Sequence, residues 1–228
     1  MKNREIKALP RAAYRIAFKL LLRSYAQYQP IYLGGKLINH SKRPCLDRWQ
    51  LIKPELDHYQ PRNLLDLGSA EGFYTQQAAA ENNLLAIGVE VDERRLRVAT
   101  EVALADKEAK SGWLKGPVTL DFVDQLPSWD LVLCLSLFHH LWAEHGEEYS
   151  KKLLSQLRSK IKLALIFEMG QSNEQGYDWS TKLPLMGDDP HHWIEQLLVE
   201  TGYHSIRKIG LVDAYQSQIK RAIFVAEP

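Results

Sequence analysis

The sequence is poor in cysteine and has no long apolar run, and each absence excludes a class of protein. It contains 2 cysteines among 228 residues. A disulfide-stabilised secreted domain needs more, and a structural zinc site needs paired ligands at short spacing. No uninterrupted apolar stretch reaches the roughly 20 residues that a membrane-spanning helix requires. We therefore expect a protein of a reducing compartment, the cytoplasm.

The chain also lacks internal repeats, low-complexity tracts and Gly/Ser linkers. A hydrophobic content of 45% and a charged content of 25% at this length fit a single core. The one boundary lies where strand-like patterns begin, near residue 60. We predict an N-terminal helical extension over residues 1–59, a candidate lid, followed by one α/β domain over residues 60–228.

The N-terminal extension is strongly basic. Residues 1–48 contain eleven Lys or Arg against two acids, so the rest of the chain is net negative. Apolar residues at three- and four-residue steps in residues 6–21 predict an amphipathic helix. Arg15, Lys19 and Arg23 interrupt the apolar core that a signal peptide would need. Its basic face suits nucleic acid or a peripheral membrane contact, and simple cover of the core is the third alternative.

After residue 60, apolar strand-like runs alternate with helical segments, a pattern typical of parallel βαβ units. Predicted helices begin near Gly72, Glu93, Glu147 and Pro190. The seven predicted strands span residues 63–67, 84–89, 118–120, 131–136, 163–168, 206–211 and 221–225. The pattern predicts an α/β fold, a Rossmann-like three-layer sandwich built on a seven-stranded sheet.

The strongest motif is a buried strand that runs into a glycine turn at residues 63–75, because ligands bind where such strands end. Its G-x-x-x-G spacing lacks a glycine of the dinucleotide fingerprint. Acids beside the turn would repel a pyrophosphate but attract an ammonium and a sulfonium group. The motif therefore favours S-adenosylmethionine over NAD, held by Asp66, Gly68, Ser69, Ala70, Glu71 and Gly72.

A second acid, Glu90, ends the next strand about 20 residues after the glycine turn, from where a carboxylate reaches ribose hydroxyls. Val91 follows it and is a further candidate contact. Either motif alone also fits an ordinary turn with a surface acid. The two together, at this spacing, indicate a nucleoside-binding crevice.

The third signal is Ser-Leu-Phe-His-His-Leu at residues 136–141, where the fourth predicted strand ends. Ser136 is a candidate cofactor contact, and His139 and His140 are candidate bases, since histidine accepts protons near neutral pH. The alternative is that one histidine packs against the cofactor or caps the next helix. Glu168, at the end of the fifth strand, is a third catalytic candidate or a structural acid. These groups lack diagnostic metal-ligand spacing, so we predict no metal site.

The segments LLDLGSAEGFYT, GVEVD and WDLVLCLSLFHHL resemble those of class I S-adenosylmethionine-dependent methyltransferases, across residues 60–228. The resemblance implies a mostly parallel sheet with an antiparallel last strand. It also implies that Glu90 binds both ribose hydroxyls and that Asp121 and Phe122 frame the adenine. Three shorter matches, DRW, FHHL and FEMGQ, are similar to methyltransferase domains that act on bacterial surface polysaccharides.

The resemblance makes methyl transfer to oxygen, on a small molecule or a glycan or phosphoglycan, the expected function. RNA methylation through the basic N-terminal face and a non-catalytic scaffold that only binds the cofactor are the alternatives. No Asn-Pro-Pro-Tyr segment follows the fourth strand, which disfavours methylation of base amines. The sequence does not determine the oligomeric state.

Overall fold

The computed structural model describes residues 20, 28–33, 36–39, 41–82, 84–105, 110–215 and 217–228. The amphipathic helix that the sequence predicts over residues 6–21 lies almost entirely outside this part of the chain. A short hairpin, β1 (Tyr32–Leu33) and β2 (Lys36–Leu37), precedes helix α1 (Leu46–Tyr59). This hairpin is not among the elements that the sequence predicts.

The domain after α1 alternates strands and helices as expected. The strands are β3 (Asn63–Leu67), β4 (Leu85–Glu90), β5 (Ser111–Lys115), β6 (Trp129–Leu135), β7 (Ile161–Glu168), β8 (His204–Asp213) and β9 (Lys220–Glu227). The helices are α2 (Phe73–Asn82), α3 (Glu93–Ala105), α4 (Leu120–Gln125), α5 (Phe138–Arg158) and α6 (Pro190–Glu200), with a 3-10 turn at Ser180–Lys182.

The strands form one seven-stranded sheet in the order β5-β4-β3-β6-β7-β9-β8. Strands β3 to β7 pair in parallel, and β9 pairs antiparallel with both β7 and β8. This confirms the expected α/β architecture with an antiparallel last strand. It also means that β8 runs parallel to β7, so both end at the same edge of the sheet.

Two apolar layers cover the sheet, one on each face. Because side chains alternate along a strand, Leu65 and Leu67 of β3 pack on the face covered by α5 and α6, while Leu64 packs on the face covered by α1 and α2. Neighbouring strands repeat the alternation, which gives the predicted three-layer sandwich. The carboxyl ends of the parallel strands are left open at one edge, where ligands bind in folds of this type.

The third predicted strand is misplaced. The strand is Ser111–Lys115, whereas residues 118–120 lead into helix α4, whose first turn is capped by the Thr119 hydroxyl accepting from the Phe122 N–H at 3.1 Å. Strand β5 lies at the edge of the sheet and is only partly buried, so it lacks the apolar run that marks a central strand. Val118, an apolar residue of the predicted strand, is instead buried in the core ahead of helix α4.

Helix α5 begins earlier than predicted. It starts at Phe138 directly after β6, and its regular pattern is broken by Gly146, which has φ +81°. Such an interruption divides the apolar periodicity, so the sequence showed only the second half of the helix. As a result, both candidate histidines lie in the first turn of a helix at the carboxyl end of β6.

Candidate active site

A cavity of about 550 Å³ lies at the carboxyl ends of β3, β4 and β6. Its volume is within the range of small-molecule sites. The predicted residues that line it are Asp66, Gly68, Ala70, Glu90, Val91, Ser136 and His140. Those that do not line it are Ser69, Glu71, Gly72, Asp121, Phe122, His139 and Glu168.

The glycine turn forms the floor of this cavity. Gly68 has φ +72°, a backbone conformation that favours glycine. The N–H groups of Gly68 and Ser69 both donate to the Val89 carbonyl at 2.9 Å, which fixes the turn to the end of β4. A Cβ at Gly88 would lie 2.6 Å from the Ser69 hydroxyl oxygen, so this close approach also requires glycine in β4. Ser69 therefore serves the packing of the turn.

Glu90 stands at the end of β4 and faces the cavity. Its carboxylate accepts hydrogen bonds from the Ala70 N–H at 2.9 Å and the Asp92 N–H at 2.8 Å. A carboxylate offers about four acceptor positions, so two remain for ligand hydroxyls. These two backbone hydrogen bonds hold the Glu90 carboxylate at the end of β4, beside the cavity.

Asp66 is the second acid of the cavity and is 2% exposed. Burial raises the pKa of its carboxyl to about 7, although the Thr75 hydroxyl donates to it at 2.7 Å and opposes the shift. A group that titrates near neutral pH is sensitive to a bound cation, because the cation favours the carboxylate. Asp66 therefore has the properties of a ligand for an ammonium group.

Glu71 has a different position from the one expected. It is buried beneath the N-terminal segment and accepts from the Gln29 N–H at 3.2 Å. The side-chain oxygen of Gln29 in turn accepts from the Phe73 N–H at 3.0 Å, at the start of α2. Tyr28 and Gln29 line the cavity, so Glu71 holds in place a segment that forms part of the cavity wall. Gly72, at φ +83°, packs closely against Trp113.

The expectation for Asp121 and Phe122 rested on the wrong third strand. Asp121 is exposed in the first turn of α4, and Phe122 packs against the core. The residues that follow β5 and line the cavity are Gly116, Pro117 and Val118. These offer an apolar wall where the resemblance placed the adenine.

Glu168 is the centre of a buried cluster that we call the arginine cluster, formed with Arg43, Arg48 and Arg221. It accepts from Arg48 Nε at 2.7 Å, from the Ser136 hydroxyl at 2.8 Å and from Arg221 Nη1 at 3.3 Å. Burial would raise the pKa of Glu168, but the neighbouring guanidinium groups, Arg48 first, hold it well below the usual range. Glu168 does not line the cavity and its carboxylate is held ionised by the arginines, which favours the structural alternative for this acid over the catalytic one.

The two histidines have distinct environments. His139 is 2% exposed, its Nδ1 accepts from the Gly170 N–H at 3.0 Å, and its ring lies 4.3 Å from that of Trp179. His140 is exposed and lines the cavity. Full burial of His139, partial burial of His140 and the charge of Arg221 lower the pKa of both imidazoles below the ordinary histidine value, which favours the neutral form of both at pH 7. His140 alone of the pair can meet a ligand in this cavity.

Several cavity residues carry no recognisable local signal. The guanidinium carbon of Arg95 lies 4.7 Å from the ring centre of Tyr28, and that of Arg43 lies 5.6 Å from it. These residues belong to separate segments that meet only in the fold. No short motif connects these segments, so the sequence alone could not identify Tyr28, Arg43 and Arg95 as cavity residues. Within the described ranges, no three His, Cys, Asp or Glu side chains form a metal-binding group.

Comparison with known proteins gives relatives but no family model that matches the chain. The chain is 28% identical over 205 residues to the O-antigen chain terminator bifunctional methyltransferase/kinase WbdD of Escherichia coli. The match covers 87% of this chain and 27% of the relative. The chain thus spans about a quarter of the length of the curated relatives it matches.

Solved structures agree. A crystal structure of WbdD superposes with a TM-score of 0.77 at 25% identity, over 92% of this chain and 46% of that one. The N-terminal domain of EvdMO1, determined with SAH and D-fucose, gives a TM-score of 0.67 at 17% identity, over 98% and 99% of the two chains. The second likeness concerns the fold alone. Fold, cavity and relatives together confirm the resemblance to class I S-adenosylmethionine-dependent methyltransferases, including those of polysaccharide biosynthesis.

Proposed function

We propose that this chain is an S-adenosylmethionine-dependent methyltransferase that methylates an oxygen atom of a glycan or phosphoglycan. The observation that carries the proposal is the pair of acids, Asp66 and Glu90, in one cavity at the carboxyl ends of parallel strands. In this proposal Glu90 binds hydroxyls and Asp66 binds a cation. An ammonium-bearing nucleoside satisfies both.

The residues of the cavity fit this cofactor. Bound S-adenosylmethionine supplies an electrophilic methyl group on a sulfonium centre. Glu90 would accept hydrogen bonds from the ribose, Asp66 would pair with the ammonium group, and Pro117 and Val118 would form an apolar wall for the base. His140, neutral at pH 7, accepts the proton that a hydroxyl acceptor loses.

The names of the relatives support a sugar acceptor. WbdD is named as an O-antigen chain terminator, and the EvdMO1 domain was determined in the presence of D-fucose. A phosphoglycan acceptor would be attracted by the basic residues 1–48, the observation that also motivates the RNA alternative. Most of that region lies outside the described residues.

We place the protein in the cytoplasm, as the two free, buried cysteines suit a reducing compartment. No helix in the described part of the chain has the length and apolar character needed to cross a bilayer. We also propose that residues 1–59 act as cover for the domain that follows. The buried hydrogen bond between the Gln29 N–H and Glu71 supports this role, because it joins the N-terminal segment to the domain.

Calorimetric titration with S-adenosylmethionine, S-adenosylhomocysteine and NAD tests the cofactor. We expect saturable binding of the two adenosyl ligands and none of NAD. Transfer of a tritiated methyl group to neutral glycans, phosphorylated glycans and RNA then tests the acceptor class. Binding of NAD in place of the adenosyl ligands, or transfer to RNA alone, would contradict the proposal.

Replacing Glu90 by alanine is expected to weaken binding of S-adenosylhomocysteine by about 10- to 100-fold, since hydrogen bonds to a charged group contribute roughly 1.5–3 kcal/mol. Calorimetry measures the change. Glu93→Ala is the matched control, because Glu93 is an exposed acid just after the same strand and pairs with Lys115. An affinity that the Glu90 substitution leaves unchanged would remove Glu90 from the site.

Binding of the cofactor is expected to depend on pH through Asp66. Because burial raises the pKa of the free carboxyl to about 7, a cationic ligand must displace a proton below that pH. Affinity should therefore rise by up to about tenfold per pH unit towards pH 7 and then level off. Calorimetry from pH 5.5 to 7.5 should also show proton release, and Asp66→Asn should abolish both effects. A flat profile in the unmodified protein would exclude this assignment.

A further inference from the structure

A second cavity, of about 370 Å³, adjoins the cofactor cavity at Arg43. It is lined by Lys42, Arg43, Pro44, Asp213, Ala214 and Tyr215. Strand β8 ends at Asp213 and runs parallel to β7, so this wall stands at the same edge of the sheet as Ser136 and Glu168. The two cavities therefore open at one edge and share an arginine.

The aromatic ring in the second cavity packs against a second tyrosine. Tyr215 is half-buried, and its ring meets that of Tyr28 edge to face, with centroids 6.2 Å apart. The Tyr215 carbonyl accepts from the Tyr177 hydroxyl, and Arg43 Nη1 donates to the Tyr28 hydroxyl. Tyr28 lines the cofactor cavity and Tyr215 lines the second cavity, so this ring contact and the shared Arg43 connect the two cavities.

The chemistry of the second cavity combines an aromatic face with charged groups of both signs. Lys42 is exposed and offers N–H donors, while the exposed carboxylate of Asp213 pairs with Lys220 and retains acceptor positions. A sugar ring matches this set, because its C–H face is attracted to the negative face of an aromatic ring and its hydroxyls both donate and accept. The carboxylate disfavours a ligand that is only anionic.

We propose that this second cavity is the acceptor subsite and holds one sugar ring, stacked on Tyr215 and hydrogen-bonded by Lys42 and Asp213. The inference rests on the proposed function and adds where the glycan lies. A ring in this position lies beside Arg43, which lines both cavities. Arg43 also donates to Ser136, which lines the cofactor cavity, and pairs with the buried Glu168, so the position of Arg43 relative to the cofactor cavity is fixed.

Saturation-transfer NMR with the full chain and S-adenosylhomocysteine tests the subsite. The probes are the methyl glycosides of D-fucose, D-glucose, D-galactose and D-mannose. We expect at least one to receive saturation from the protein, to bind about tenfold more weakly to Tyr215→Ala, and to bind normally to Tyr215→Phe, which keeps the ring. Leu185→Ala changes a side chain that is 93% exposed and outside both cavities, and serves as the control.

The outcomes separate the subsite from the proposed function. Calorimetry with S-adenosylhomocysteine on the same samples reports the cofactor site. Because Tyr215 does not line that cavity, each variant that retains this binding reports the second cavity alone. If S-adenosylhomocysteine binds but no glycoside does, the subsite is overturned and the cofactor assignment stands. The same holds if a glycoside binds Tyr215→Ala as tightly as it binds the unmodified protein. If S-adenosylhomocysteine does not bind, the proposed function itself fails. Lys42→Ala, an exposed change, should weaken the same glycoside and provides a second test that does not depend on the fold of Tyr215→Ala.

Discussion

His140→Ala is expected to lower kcat for a hydroxyl acceptor by about 100-fold or more, because a positioned general base contributes roughly 10²–10⁴-fold. His140 lines the cofactor cavity and is neutral at pH 7, since burial and the nearby Arg221, Arg95 and Arg43 lower the pKa of its imidazole. The affinity for S-adenosylhomocysteine should change little. Single-turnover transfer of a tritiated methyl group separates the chemical step from binding.

The pH profile distinguishes a base from a packing residue. In the unmodified protein, kcat should fall only below the ordinary pKa of histidine, because protonation of His140 is disfavoured; this limb should vanish in His140→Ala. His204→Ala, at the opposite edge of the sheet, is the control and should retain both rate and profile. Equal kcat in His140→Ala and the unmodified protein would show that the acceptor loses its proton elsewhere.

Glu168→Gln is expected to reduce the free energy of unfolding by about 3–5 kcal/mol, the usual cost of removing one partner from a buried ion pair. The substitution keeps the shape of the side chain but leaves Arg48 with only the partly exposed carboxylate of Asp47. For a domain of this size, the loss corresponds to a Tm lower by roughly 10 °C. Urea unfolding and differential scanning calorimetry measure both quantities.

Glu93→Gln removes an exposed acid paired with Lys115 and should not change Tm measurably, which makes it the control. The pKa of Glu168 is lower in the folded protein than in the unfolded chain. Its contribution to stability is therefore complete above the ordinary glutamate pKa and is lost only as the pH falls towards the depressed folded value. An unchanged Tm for Glu168→Gln at pH 7 would contradict the structural role of the cluster.

The parts of the site that could be predicted are those that local geometry decides. The glycine turn and the acid at the end of β4 form within a single βαβ unit, so Gly68 and Glu90 take their positions from short-range spacing. The same holds for the strand and helix alternation, which predicts the sheet and its layers. The edge strand β5 escaped prediction because partial burial leaves no strong apolar pattern.

The parts that could not be predicted depend on contacts between distant segments. Glu168 resembled a catalytic acid at a strand end, but the fold surrounds it with guanidinium groups from positions 43, 48 and 221. His139 and His140 are adjacent in sequence, yet successive helical residues point about 100° apart, so one enters the core and the other faces the cavity. Sequence thus determined the fold and the cofactor motif, whereas the charge state and orientation of each candidate group were decided by tertiary burial and ion pairing.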